Sequence, residues 1–472
     1  MVAVTCTRRG ARSALEKVLA LHSSMRWNVA NGRVRMQLAW KSSSAMPDFL
    51  AETISENMKS SMLDHATKDG TRIWSTQPSS IESTINDAIS TQQDPLDDLY
   101  QDRTTRYWPQ LPPEVKADSN ADPFKLAKGE VENLSKSIRE DLLGTDHPVL
   151  NKAASYFFGS ADGGKKVRPV MVMLLSRALA DTLVDCRGSN GSEVQGEGLL
   201  FTSPLSWQRP DLPQAQRRLA EISEMIHTAS LFHDDVIDGA DTRRGMASVH
   251  MVFGNKMAIL AGDYLLARAS ICLARLRNVE VVETMSTIIE HLVRGEVMQM
   301  RGTNVSEEKS QRMQYYLKKN FYKTGSLMAN SCKSAALLGE CPQELVAASY
   351  RFGKHVGMAF QLADDILDFE GSLSSMGKPA LSDLNAGLST APVLFAAEQY
   401  SALEPLMDRK FKEKDDVERA VDMVFASDGL ERTKQLARVH AELAMEAALE
   451  LADGVHRNAL INLAYMVVSR TK

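Results

Sequence analysis

Beyond Asp122, apolar residues recur at intervals of three and four along most of the chain, the spacing that lines one face of an α-helix. The first run opens at Asp122-Pro123, a capping acid followed by a first-turn proline, and continues through Leu126, Val131, Leu134, Ile138 and Leu142. Similar runs predict helices at about 165–184, 214–237, 256–277, 279–301, 308–338, 343–369, 389–400, 413–426, 430–452 and 456–470. Period-two alternation is scarce, so the expected fold is all-α, a single large helical bundle. Residues 186–213 interrupt the pattern with Gly188, Gly191, Gly196, Gly198, Pro204, Pro210 and Pro213. A helix connection of that length is unusual, and it predicts a flexible surface insertion.

Upstream of the helices the pattern fades. The first 50 residues carry Arg8, Arg9, Arg12, Lys17, Arg26, Arg33, Arg35 and Lys41, with Glu16 as the acid ahead of Asp48 and serines throughout. Such a composition, with Val18, Leu19 and Leu21 on a short basic amphipathic segment, predicts a mitochondrial transit peptide. Residues 51–121 are rich in Ser, Gln, Asp and Pro and read as a polar, largely disordered linker. The helical domain is then 122–472.

Composition narrows the partners. The net charge of −5, with no long basic run in the body of the chain, argues against nucleic acid. Five cysteines at irregular spacing suggest neither a disulfide framework nor a zinc site. Charges interrupt the most apolar stretches before about 18 residues, so no transmembrane helix is expected. Peripheral contact with a membrane is allowed.

The chemistry is concentrated in two clusters, Asp234-Asp235-Val236-Ile237-Asp238 and Asp364-Asp365-Ile366-Leu367-Asp368, each inside an apolar helical run. Residues four apart share a helix face, so Asp234 with Asp238, and Asp364 with Asp368, each present two carboxylates in one direction. Clustered like charges demand counter-cations. Oxygen ligands without a His or Cys cage point to Mg2+, which completes its octahedron with water and substrate phosphates. Basic groups accompany the clusters. Gly163-Gly164-Lys165-Lys166-Val167-Arg168-Pro169 opens a helix whose first amides favour an anion. His227 lies two turns before Asp234, and Arg243-Arg244 follow the first cluster.

Taken in order, Glu224 to Asp238 running on to Asp241-Thr242-Arg243-Arg244-Gly245, Gly262-Asp263-Tyr264-Leu265-Leu266-Ala267, Tyr322-Lys323-Thr324, Phe360-Gln361-Leu362-Ala363-Asp364-Asp365 to Phe369, Gly377-Lys378-Pro379 and the closing Ser469-Arg470-Thr471-Lys472 closely resemble the trans-polyprenyl diphosphate synthases. The resemblance covers about 122–472 and is nearest to the mitochondrial long-chain hexaprenyl, solanesyl and decaprenyl types of ubiquinone biosynthesis. It implies an isoprenoid-synthase bundle with a central apolar product tunnel. The implied substrates are isopentenyl diphosphate and an allylic diphosphate, farnesyl or geranylgeranyl. The implied reaction is ionisation, condensation and elimination to a long all-trans polyprenyl diphosphate.

The resemblance also assigns roles. Mg2+ would lie among Asp234, Asp238 and Asp364, with Asp235, Asp365 and Asp368 as supporting ligands. Arg243, Lys323 and Lys378 would complete the clamp on the leaving diphosphate. Thr324 and Gln361 would face the allylic cation, while Lys165, Arg168, His227 and Arg244 would hold isopentenyl diphosphate. Gly325 stands where alanine is common in the family, and Leu381-Ser382 where the residues are usually smaller. A homodimer is implied, a heteromer is compatible, and the implied location is the mitochondrial matrix, with inner-membrane association.

Ala229 and Ser230 lie five and four residues before Asp234, one turn deeper beneath the metal site. Both are small, which leaves the path open for a long product. Two rivals stand beside this reading. A terpene cyclase or head-to-head synthase shares an aspartate-rich helix but normally lacks the Gly-Gly-Lys-x-x-Arg site together with a second cluster. A non-catalytic subunit of a heteromeric prenyltransferase normally has eroded aspartates. A helical scaffold with incidental acids leaves the ordered basic motifs unexplained.

Overall fold

The computed structural model describes residues 27–30, 33–36, 121–142, 148–158, 166–189, 214–243, 245–301, 309–374 and 381–470. The chain divides into two compact units, Met1–Gln93 and Asp94–Lys472. In the first unit the described residues form an antiparallel hairpin, β1 (Trp27–Ala30) paired with β2 (Arg33–Met36). The hairpin falls within the stretch read above as a transit peptide, while the basic segment around Val18 lies outside the described residues, as does most of the linker.

The described residues of the second unit are helical almost throughout. It begins with α1 (Pro123–Leu126), whose Asp122 cap accepts from the amides of Phe124 at 2.9 Å and Lys125 at 3.1 Å. The single helix expected from 123 to 142 is divided: Ala127 leaves helical geometry, α2 (Lys128–Ser137) follows, and a π-helical turn spans Ile138–Leu142. Gly129, in the first turn of α2, lowers the helical preference at this junction. After α3 (Pro148–Ala154) come α4 (Val167–Ser189) and α5 (Gln214–Ile237). A two-stranded turn, β3 (Thr242–Arg243) with β4 (Met246–Ala247), leads to α6 (Val249–Phe253), α7 (Asn255–Arg275) and α8 (Val279–Arg301). One nearly continuous helical body then carries α9 (Lys309–Asn320), a π-helical turn (Phe321–Gly325) and α10 (Ser326–Leu338). The long α11 (Gln343–Ser374) is followed by α12 (Ser382–Asn385), α13 (Ala391–Gln399), α14 (Leu403–Asp408), α15 (Asp416–Ala426), α16 (Gly429–Leu449) and α17 (Val455–Ser469).

The longer helices follow the sequence periodicity closely. Short helices α3, α6, α12 and α14 went unforeseen, because four to seven residues hold too few repeats to show a period. Helix α4 runs to Ser189, so the expected insertion begins later than 186; its remainder lies outside the described residues.

Three apolar clusters form the core. The first joins Ile222, Ile226 and Ala229 of α5 to Ala258, Ala261 and Leu265 of α7. The second packs α4, α10, α11 and α17 together, and the third surrounds α13 and the lower part of α11. Small residues permit the closest crossings: a Cβ on Gly353 would meet the Met328 carbonyl oxygen at 2.5 Å, and one on Gly357 would meet Gly325 Cα at 2.7 Å. One sequence expectation needs correction. Among the described residues α7 is long and apolar enough to cross a membrane, because Asp263 and Arg268 alone do not break its hydrophobic run. Its Ala258, Ala261, Leu265 and Ala269 face are buried in the bundle.

Candidate active site

Helix α5 delivers the first aspartate cluster at its C-terminal end. Asp238 follows the last helical residue, and its amide still donates to the Asp234 carbonyl at 2.8 Å, so the two carboxylates lie one turn apart. Gly239 then adopts a positive φ of 63°, the left-handed conformation that ends a helix without a Cβ clash. Burial pushes Asp234 up to about 6, with Glu296 and Asp238 adding to the effect and Lys323 and Arg243 opposing it. Burial and Glu296 likewise raise Asp238, again against Lys323 and Arg243. The site thus holds more negative charge than its burial favours, which suits a divalent cation.

Asp235 points elsewhere. It is 0 % exposed, and its Oδ1 accepts from Arg243 Nε at 2.8 Å and Nη2 at 2.5 Å. This pair fastens the β3 turn to α5 and sets the guanidinium within range of Asp234 and Asp238.

Lys323 reaches the same carboxylates from the π-helical turn. Its Nζ donates to Glu296 Oε2 at 2.5 Å. Gly295 makes room for that reach, since a Cβ there would lie 2.7 Å from Lys323 Cγ. Glu296 was absent from the residues singled out in the sequence. Its signal was the Gly295-Glu296 pair interrupting an apolar helical face.

The second cluster lies on α11, and its three aspartates have separate surroundings. Asp364 Oδ1 accepts from Arg470 Nη2 at 2.7 Å; burial raises its pKa, with Arg470 and Arg168 opposing. Asp365 is 1 % exposed and accepts from the Tyr316 hydroxyl and from Gln361 Nε2 at 3.0 Å. Asp368 caps α12, accepting from the Ser382 amide at 3.0 Å, the Ser382 hydroxyl at 2.7 Å and the Asp383 amide at 3.1 Å. Asp383 is pushed up to about 7 by burial and by the charges of Asp365 and Asp368. Lys319, buried on α9, opposes that shift, and its own pKa is lowered by burial. One helical body therefore supplies a lysine to each cluster, Lys323 to the first and Lys319 to the second. Neither Asp383 nor Lys319 was picked out from sequence.

Thr324 and Gln361 are brought together, the threonine hydroxyl donating to Gln361 Oε1 at 2.8 Å. Arg168, in the first turn of α4, lies 3.1 Å from His227 Nε2 through its Nη1. Arginine can only donate, so this imidazole nitrogen accepts. Ala229 is fully buried in the first core cluster, while Ser230 is half-buried and donates to the His227 carbonyl at 2.9 Å. Lys165, Arg244 and Lys378 lie outside the described residues.

Among the described residues no three His, Cys, Asp or Glu side chains converge into a metal cage. The donors nevertheless fit Mg2+, since it takes few protein carboxylates and fills its remaining positions with water and phosphate oxygens. Crowding of Asp234, Asp238 and Glu296 is the feature such an ion would relieve.

The model of the polyprenyl synthetase family matches residues 147–424. The chain is 44% identical over 372 residues to "Probable hexaprenyl pyrophosphate synthase, mitochondrial" of Neurospora crassa, covering 74% of this chain and 82% of that one. It is 42% identical to "Solanesyl-diphosphate synthase 1, mitochondrial" of Oryza sativa, covering 76% and 80%. Among solved structures, a polyprenyl synthase from Caulobacter crescentus complexed with calcium and isoprenyl diphosphate superposes with a TM-score of 0.61 at 27% identity, covering 76% of this chain and 99% of that one.

Proposed function

The chain belongs to the polyprenyl synthetase family, and from that premise we propose that it extends farnesyl or geranylgeranyl diphosphate with isopentenyl diphosphate to make the ubiquinone side-chain precursor. Its activity is that of a prenyltransferase making a long-chain polyprenyl diphosphate. The observation that carries the assignment of residues is the pairing of Asp234 with Asp238, one turn apart in a half-buried site that Lys323 and Arg243 flank.

Mg2+ among Asp234, Asp238 and Asp364 would supply the positive charge that makes diphosphate a competent leaving group. Arg243 and Lys323, held by Asp235 and Glu296 respectively, would bind the same oxygens. Lys378 joins them by its sequence motif. The allylic C–O bond breaks and its electron pair leaves with the diphosphate. The π electrons of isopentenyl diphosphate then form the new C–C bond, and the released diphosphate takes a proton from the adjacent carbon, whose C–H electron pair restores a trans double bond. Thr324 and Gln361 present oxygen dipoles to the cation, and the apolar helices exclude water that would quench it. Arg168 and His227, with Lys165 and Arg244, hold the diphosphate of the attacking substrate. Asp235, Asp365 and Asp368 act on this reading by fixing Arg243, Gln361 and α12.

The elongating chain runs past Ala229 and Ser230 into a tunnel beneath the site. Residues 1–50 act as a mitochondrial transit peptide and 51–121 as a linker, which places the enzyme in the matrix at the inner membrane. Mitochondrial relatives support the organelle. A homodimer is compatible with the exposed apolar side chains of α6, α7 and α8, where Met251, Val252, Ile259, Leu260, Ile271 and Val293 are each at least 41% accessible.

Incubating the full chain with Mg2+, an allylic diphosphate and labelled isopentenyl diphosphate tests this function. Label in a long polyprenyl product, sized by reversed-phase chromatography, is the expected result. No elongation by the chain alone, with elongation restored by a second subunit, would overturn self-sufficient catalysis.

A further inference from the structure

Tyr316 lies on α9, one turn before the buried Lys319, and no part of the mechanism above uses it. Its side chain is 1 % exposed and ranks among the largest fully buried side chains. A buried phenol needs a hydrogen-bond partner. The Tyr316 oxygen accepts from the Ala391 backbone, and its hydroxyl donates to Asp365 Oδ2.

From that contact a chain of hydrogen bonds runs into the site. Asp365 Oδ1 accepts from Gln361 Nε2 at 3.0 Å, and Gln361 Oε1 accepts from the Thr324 hydroxyl at 2.8 Å. An ionised carboxylate only accepts, and an amide nitrogen only donates. Asp365 therefore holds the amino end of the Gln361 amide and turns its carbonyl oxygen toward Thr324. The Thr324 hydroxyl has one proton, and that proton is committed to Gln361. Lone pairs remain on Thr324 Oγ1 and Gln361 Oε1. Were the amide reversed, two N–H dipoles would point positive charge toward Thr324 instead.

We propose that Tyr316 is a positioning residue for prenyl transfer: by anchoring Asp365 it locks the Gln361 amide so that its carbonyl oxygen, with Thr324 Oγ1, offers lone pairs to the allylic cation. The proposal rests on the function proposed above. It also gives Asp365 a task distinct from metal ligation, since one of its oxygens is held by Tyr316 and the other by Gln361.

The test is Tyr316→Phe in the full chain, alongside Asp365→Asn, which can donate as well as accept and so tolerates either amide orientation. Both variants are expected to lower kcat about tenfold, the effect of one such interaction in the transition state. KM for each diphosphate and the Mg2+ concentration at half-activity should stay within about twofold of the wild type. The fraction of allylic substrate released as alcohol, through capture of the cation by water, should rise in both. A purely structural role for Tyr316 would lower the melting temperature without changing that fraction, and this outcome would overturn the proposal. A raised Mg2+ requirement in Asp365→Asn with an unaltered alcohol fraction would also overturn it, by making Asp365 a metal ligand. Absence of condensation in the wild-type chain would instead reject the underlying function, so the two failures are distinguishable.

Discussion

Arg470 donates from Nη2 to Asp364 Oδ1 at 2.7 Å and to the Phe360 carbonyl at 2.8 Å, with its guanidinium 4.1 Å above the Phe360 ring. The end of α17 thus places a positive charge on the first carboxylate of the second cluster. A metal ion taking that carboxylate must compete with the guanidinium. Half-exposed ion pairs are worth about 1 kcal/mol or less, so the competition is modest. Arg470→Ala should therefore bind Mg2+ about three- to fivefold more tightly in the absence of substrates. Isothermal titration checks this, and equal or weaker binding would show that Arg470 and the metal do not share Asp364.

Asp234 is held at about 6, with burial the main cause and Glu296 the largest charge acting in the same direction. A protonated Asp234 is a poor metal ligand. The pH profile of kcat/KM should accordingly fall on the acid side near pH 6. Glu296→Gln removes one charge that favours the proton, so its acid limb should move to lower pH. The same change frees Lys323 from its partner, and kcat should drop severalfold. Initial rates across pH 5 to 8 measure both effects; an acid limb that does not move would detach Glu296 from the titration of Asp234.

How far the site could be seen in the sequence depended on how far apart its partners lie along the chain. Asp234 and Asp238 are one turn apart, and helical periodicity alone puts them on one face. Asp365 reads in the sequence as a supporting ligand beside Asp364, and only its contact with Tyr316, 49 residues away, places it in a hydrogen-bond network. Asp368 looked like a ligand, yet the chain returns 14 residues later to use it as a helix cap. Lys319 was hidden beside Lys318 in a stretch whose charges suggest a solvated surface. It is buried within range of the charges of Asp365 on α11 and of Asp383, a setting that no local pattern reports. The long helices, in contrast, repeat their period four to nine times and were plain.

His355 and His440 join α11 to α16 through an Nδ1 to Nδ1 contact of 2.9 Å in a buried setting. Burial, with the Lys354 charge adding to it, lowers His440 to about 3. Between pH 6.5 and 3 the unfolded chain binds a proton that the folded chain refuses, so this group's stabilising contribution is full above pH 6.5 and is lost as pH falls. The loss between pH 7 and 4.5 is on the order of 2 to 3 kcal/mol by linkage. Asp234 and Asp383 shift in the opposite sense, so the total profile is a sum, and only a difference isolates the histidine. The stability gap between wild type and His440→Gln should narrow as pH falls over that range. Parallel denaturation profiles would reject the assignment.

Glycines at two helix positions should respond oppositely to alanine. A Cβ at Gly353 would come within 2.5 Å of the Met328 carbonyl oxygen, and backbone cannot rotate away. Gly353→Ala should cost about 1 to 3 kcal/mol as α10 and α11 are forced apart. Gly129, on α2, has nothing within 4 Å of its added Cβ, and Gly129→Ala should gain about 0.5 to 1 kcal/mol from helix preference. Chemical denaturation of both variants measures the contrast. Similar changes would mean that α10 and α11 tolerate a wider crossing.

Ala229 offers the sharpest test of product length, because the two outcomes of enlarging it have different physical signatures. Its side chain is 0 % exposed and lies in the cluster that includes Ile222, Ile226, Phe232 and Leu265. If the site is close-packed protein, a phenyl ring overfills it and should cost about 1 to 3 kcal/mol, with product length unchanged. If the elongating chain passes there, the ring occupies space the product needs. Ala229→Phe should then melt within a few degrees of the wild type while releasing a shorter polyprenyl diphosphate. Ser230 provides a second position: its hydroxyl donates only to the His227 carbonyl of its own helix, so Ser230→Phe removes no link between helices. It too should shorten the product. Chain length by reversed-phase chromatography, read beside the melting temperature of each variant, separates obstruction of a tunnel from damage to a core; a wild-type length distribution in both variants would place the product path elsewhere.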